Sequence, residues 1–99
     1  MEYNGSMQQI LTETQTNGDL FHVEGGMYQI VVIDFQANVG LELESPDGSA
    51  WVDTQQRWTA AGVKAMYLSA EVGYRVAAGT AGAKAWVMHL DKIHNPYRT

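Results

Sequence analysis

The stretch Val39 to Val52, VGLELESPDGSAWV, constrains the fold of this chain more than any other. Val39, Leu41 and Leu43 alternate with Gly40, Glu42 and Glu44, the period of two of a strand with one buried and one wet face. Ser45-Pro46-Asp47-Gly48 then supplies a tight reversal. Ser opens a type I turn, Pro presets φ at the second position, Asp takes the third, and Gly accepts the left-handed backbone that follows. Ala50-Trp51-Val52 is the return strand. The unit reads as a β-hairpin with an apolar inner face and an acidic outer one.

Strand and turn signals continue on both sides of it. Met7 to Thr14 has Met7, Ile10 and Leu11 at helical spacing, but its Thr content and lack of a capping residue favour a strand. Asn17-Gly18-Asp19 is a turn, followed by a short strand Leu20 to Val23. Gly25-Gly26 precedes Met27 to Asp34, which is apolar on both faces: Tyr28, Ile30 and Val32 on one, Met27, Val31 and Ile33 on the other. Such a strand is expected to be central in its sheet or covered by another subunit.

Asp53 to Gly62 lacks a period and reads as a loop holding Trp58 at the surface or buried at its edge. Val63 to Ser69 is a strand with Met66 and Leu68 opposite Val63, Ala65 and Tyr67, and Tyr74 to Ala78 is the next. Lys84 to Leu90 is the last, with Trp86, Met88 and Leu90 on one side and Ala85, Val87 and His89 on the other. Seven to eight short strands at roughly 8 to 12 residue spacing predict an all-β, single antiparallel β-sandwich, jelly-roll or Ig-like. The expected core is Tyr28, Ile30, Val32, Leu41, Leu43, Val76 and Trp86.

Composition agrees with one domain. A chain of 99 residues has room for one core, and 45% hydrophobic against 17% charged residues marks it as globular rather than disordered. Residues 1–6 and 94–99 read as flexible ends of the single domain 1–99. The absence of Cys excludes disulfides, thiolate zinc sites and a Cys nucleophile. No Lys or Arg precedes Arg57 and no long apolar run lies near Met1, so neither a secretory signal nor a membrane span is expected.

Charge is unevenly distributed. Residues 1–56 carry nine acids and no base, whereas residues 57–99 carry all six bases with only Glu71 and Asp91, giving −9 and +4. Either the two halves pair within the sandwich, or an acidic face of one subunit meets a basic face of the next. Bases scattered singly on a chain of net charge −5 do not make a nucleic-acid groove.

No constellation reads as catalytic, and no cofactor is expected. Gly79 to Lys84 looks like a phosphate loop, but Lys84 is followed by Ala85 and then by strand, so it is a turn. His89 and Asp91 share a strand side about 6.6 Å apart, with His94 beyond, a loose set that reads as surface residues rather than a metal site. Glu42 and Glu44 sit side by side on one strand and cannot flank a glycosidic bond. Trp51 and Trp86 read as packing residues, leaving Trp58, beside Gln55, Gln56 and Arg57, as the aromatic platform that a carbohydrate-binding module would need.

Three segments carry a family resemblance: Phe21 to Tyr28, with Gly25-Gly26-Met27-Tyr28; Leu41 to Val52, with Ser45, Asp47-Gly48 and Trp51; and Gly73-Tyr74-Arg75-Val76-Ala77-Ala78-Gly79. Together they resemble a type of small virion protein encoded among the head and tail genes of tailed bacteriophages. The likeness covers most of residues 20–90, while the segment before Leu20 has no counterpart. It implies a non-enzymatic all-β subunit of the virion that decorates or cements the capsid by binding the major capsid protein, or else sits in the neck or tail. The two-sided apolar strand Met27 to Asp34 points to a homo-oligomer, and the same analogy makes it a trimer at local three-fold positions. Glu42, Glu44, Arg75 and Lys84 are then candidate rim residues between subunits, with Trp58 at the surface.

Overall fold

The computed structural model describes residues 7–90, and it builds the fold outward from the apolar strand that follows Gly25-Gly26. In chain order the strands are β1 (Met7–Leu11), β2 (Gly26–Ile33), β3 (Val39–Glu44), β4 (Trp51–Trp58), β5 (Gly62–Leu68), β6 (Tyr74–Ala77) and β7 (Lys84–His89). They form two antiparallel sheets, β1-β7-β2-β5 and β4-β3-β6, packed as a β-sandwich. Tyr28, Ile30 and Val32 of β2 face Val39, Leu41, Tyr74 and Val76 of the other sheet across one continuous core. Ile30, Val32 and Val76 are wholly excluded from solvent, each contributing about 1.5–3 kcal/mol by burial.

The pairings nest like the rungs of one long hairpin rolled up on itself. β1 pairs with β7, β2 with β5 and β3 with β4. Between the first and second rungs, residues 16–21 run along the free edge of β6. They are held there by the bridges Asn17↔Ala77 and Phe21↔Tyr74, by Gly18 N–H donating to Val76 O at 2.8 Å and by Ala78 N–H donating to Thr16 O at 2.9 Å. Rolling then adds β2–β7 and β3–β6. This is jelly-roll winding with one strand reduced to two bridges, so of the two expected sandwich types the jelly roll is the one present. The expected strand Leu20 to Val23 is therefore only a bridge at Phe21, whose ring lies 6.0 Å from that of Tyr74.

The hairpin is built as its residues require. Ser45 N–H donates to Ala50 O, Gly48 N–H donates to Ser45 O, both at 2.8 Å, and Gly48 sits at φ 76°. Its return strand runs on to Trp58, so the expected loop from Asp53 is strand instead. The period fails there because Gly40 pairs with Arg57 and Glu42 with Asp53, leaving Leu41 opposite three residues. Side chains support that expansion: Thr54 Oγ1–H donates to Leu41 O at 2.8 Å, Gln55 N–H donates to Asp53 Oδ1 at 2.7 Å, and Gln55 takes φ 72°. A similar shift between Gln9 and Leu11 turns both Ile10 and Leu11 inward, producing the helix-like spacing of β1, which ends at Leu11 rather than Thr14.

Register corrects the inner face of β7. Tyr28, Ile30 and Val32 pair with His89, Val87 and Ala85, and paired residues share a face, so Ala85, Val87 and His89 point inward and Trp86 points out. Leu43 lies at the margin of the core, half-buried, while Leu41 is 1% exposed. Leu41→Ala is expected to cost about 2–5 kcal/mol in urea unfolding, and Leu43→Ala less than half as much. Gly18→Ala should also destabilise, because a Cβ there would stand 2.0 Å from Ile10 O, whereas Gly62→Ala meets nothing within 4 Å and should fold normally.

Candidate interaction surface

Most antiparallel sheets keep one face polar. The four-stranded sheet does not. Alternation sends Met27, Gln29, Val31 and Ile33 of β2 outward, and the register extends them into rows across the sheet. One row is Met7, Met88, Gln29 and Ala65, and the next is Gln9, Trp86, Val31 and Val63. Met27 beside Tyr67 and Ile33 beside Lys84 close the two ends. No carboxylate stands on these outward positions. Five of the seven large exposed hydrophobic side chains of the described residues belong to this face: Met7, Met27, Ile33, Val63 and Tyr67. Together the outward positions form a largely apolar surface interrupted by Gln9 and Gln29.

Its one charge is neutralised at the margin. Lys84 Nζ lies 3.0 Å from Asp34 Oδ2, and the hydrogen bond and negative charge of Asp34 raise the lysine above its ordinary pKa.

The outer face of the three-stranded sheet is the opposite in kind. Glu42, Glu44, Asp53, Arg57 and Arg75 stand there with Trp51. Arg75 Nε–H donates to Glu42 Oε1 at 2.8 Å, and its guanidinium lies 4.3 Å from the centre of the Trp51 ring, so a cation is held between a carboxylate and an aromatic face. Arg57 pairs with Asp53. Trp51 is thus half-buried on an outer face rather than inside. At Glu42–Arg75 and Asp34–Lys84 the acidic first half and the basic second half of the chain meet within one molecule.

The structure brings Glu42, Glu44 and Arg75 onto one face and places Lys84 on the other sheet. Trp58 is 3% exposed and packs in the core at the end of β4, because that segment is strand and ends opposite Val39. It is not a surface aromatic, and its indole N–H is buried without an acceptor among the described residues. His89 is buried edge-on to Tyr28, ring centres 4.4 Å apart, while Asp91 and His94 lie outside the described residues. Among the described residues no group of three or more His, Asp or Glu could hold a metal ion. The outer-face residues of β5 and β7 were the ones sequence reasoning passed over. Their signal was present, since Val63, Ala65 and Tyr67 alternate with Met66 and Leu68, and Trp86 and Met88 alternate with Ala85 and Val87, so large apolar residues stand on both sides of each strand.

At the hairpin tip, Asp47 Oδ1 accepts from Ser45 Oγ–H and Ser49 Oγ–H at 2.7 Å and from Ser49 N–H at 3.0 Å. These donors, Ser45 first, hold the Asp47 carboxyl down at about 2.

No protein-family model, curated protein or solved structure matches the chain.

Because the folded pKa of Asp47 lies below its unfolded value of 3.8, its contribution to stability is present above that value and is lost as pH falls towards 2. Asp47→Ala should be less stable than the parent at neutral pH, and the difference in urea midpoint should close between pH 4 and pH 2.

Proposed function

We propose that this chain is a non-enzymatic structural subunit of a bacteriophage virion, a capsid decoration or cement subunit that lays the outer face of its four-stranded sheet on the major capsid protein. The observation that carries the reading is the contrast between the two outer faces. One bears Met27, Val31, Val63, Tyr67, Trp86 and Met88 with no carboxylate, and the other bears Glu42, Glu44, Asp53, Arg57 and Arg75. A subunit that coats a shell needs one face that sheds water on contact and one that stays solvated.

The tailed-phage context comes from the resemblance of the segments Phe21 to Tyr28, Leu41 to Val52 and Gly73 to Gly79. Jelly-roll winding supports it by analogy of fold alone, being shared with viral coat domains and with lectins. A carbohydrate-binding reading loses its platform with Trp58 in the core.

Mass spectrometry of purified virions tests the proposal. The chain is expected in copy numbers comparable to the major capsid protein. A few copies would move it to the neck or tail, and absence would overturn the virion reading. On heads depleted of the protein, Met27→Glu should lower rebinding by about tenfold or more, while Glu44→Gln on the opposite sheet should rebind like the parent.

A further inference from the structure

A sandwich has sheet edges, and each edge is a row of backbone groups able to pair with another strand. Among the described residues three of the four are protected. The edge of β6 is covered by residues 16–21. The edge of β4 is interrupted where Leu41 faces three residues, carries Asp53 and Arg57, and bends at Gln55 with φ 72°. The edge of β1 is five residues long and broken by the register shift between Gln9 and Leu11.

The edge of β5 has none of these protections. Gly62–Leu68 is seven residues long, pairs with β2 in unbroken register, contains no Pro, and has Lys64 as its single charge. No backbone hydrogen bond among the described residues leaves its outer edge. It also carries the two most exposed large hydrophobic side chains of the described residues, Tyr67 at 66% and Val63 at 55%.

We infer that β5 pairs with β5 of a second copy of this chain, antiparallel about a two-fold axis through Ala65, so that two four-stranded sheets become one continuous sheet. The sequence of the strand is what selects a second copy. Val63 and Tyr67 lie two residues either side of Ala65 on the outer face. An antiparallel copy in this register therefore sets Val63 against Tyr67 twice, a β-branched residue against an aromatic, and puts Ala65, the smallest of the three outward side chains, on the axis. The same register places Lys64 opposite the second copy's Met66 rather than its Lys64, so the one charge on the edge does not face its own copy. Each copy carries net charge −5, which opposes approach at long range, but the seam itself contains no carboxylate, so no acid is set against an acid on contact. The pairing also extends the acid-free face of each copy directly into that of the next. It is two-fold, where the family resemblance implies three, and it does not rest on the virion reading.

The chain has no Cys, so single introduced thiols report the register directly. Residues opposite each other in an antiparallel pair have Cα atoms about 4.5–5.5 Å apart, within the range a disulfide spans. Ala65→Cys should link to itself on mild oxidation about tenfold faster than Ala60→Cys, an exposed control outside the strand. Val63→Cys should link poorly to itself, because the two copies of that position are roughly 13 Å apart, and rapidly when mixed with Tyr67→Cys. The unmodified chain should sediment as a dimer, and Val63→Glu or Tyr67→Lys alone should shift it to monomer while the two together restore the dimer. A monomer at every concentration, or a trimer or face-to-face assembly in which Val31→Cys links and Ala65→Cys does not, would overturn the inference while leaving the virion reading standing.

Discussion

The ladder that β2 makes with β7 on one side and β5 on the other is the constraint from which the rest follows. Once Tyr28, Ile30 and Val32 point into the sandwich, register decides which side chains of both neighbours go with them. Val87 and Ala85 are drawn in on one side, and Met66 on the other. The same rule pushes Trp86, Met88, Val63 and Tyr67 out. The apolar outer face is thus a direct consequence of three adjacent strands whose outward positions are largely apolar, aligned by one ladder. Local details hold the ladder's start in place: Gly25 and Gly26 take φ 94° and 131°, and Glu24 N–H donates to the Tyr28 hydroxyl at 3.1 Å.

Where two successive residues alternate cleanly, the fold was legible in the chain. The Val39–Glu44 strand, the Ser45–Gly48 reversal and both faces of β2 stand as their residues indicate. Legibility failed where a bulge breaks the phase. The expansion opposite Leu41 made β4 look like a loop and left Trp58 looking like a surface residue, although the strand continues from Asp53 to Trp58 and carries that indole into the core. The shift at Gln9 gave β1 a helical rhythm. The face of β7 failed for another reason. Both its sides are apolar, and the bulkier one, with Trp86, is not the buried one, because the inner layer opposite Val32 and Ile30 is filled by Ala85 and Val87. Side-chain size alone cannot choose between two apolar faces. Only the long-range register can.

The charged residues occupy what the apolar faces leave. Arg75, clasped by Glu42 and resting on Trp51, fixes the outer surface of the three-stranded sheet as a polar one. Pairs at this level of exposure contribute modestly to stability, but they use up the charges that would otherwise be available to a partner. Glu42 and Arg75 are engaged with each other and Glu44 stays on the solvated face beside them, so the surface suited to the proposed contact is the outer face of the four-stranded sheet.

Hydroxyl-radical footprinting tests that claim most directly, because the outer face is rich in the most oxidisable side chains while Trp51 provides a control on the opposite sheet. Comparing the free chain with the chain on the virion proposed to carry it, oxidation of Met27, Trp86 and Met88 is expected to fall several-fold on assembly, with Trp51 unchanged. Protection of Trp51 with Met27, Trp86 and Met88 as reactive as in the free chain would contradict it.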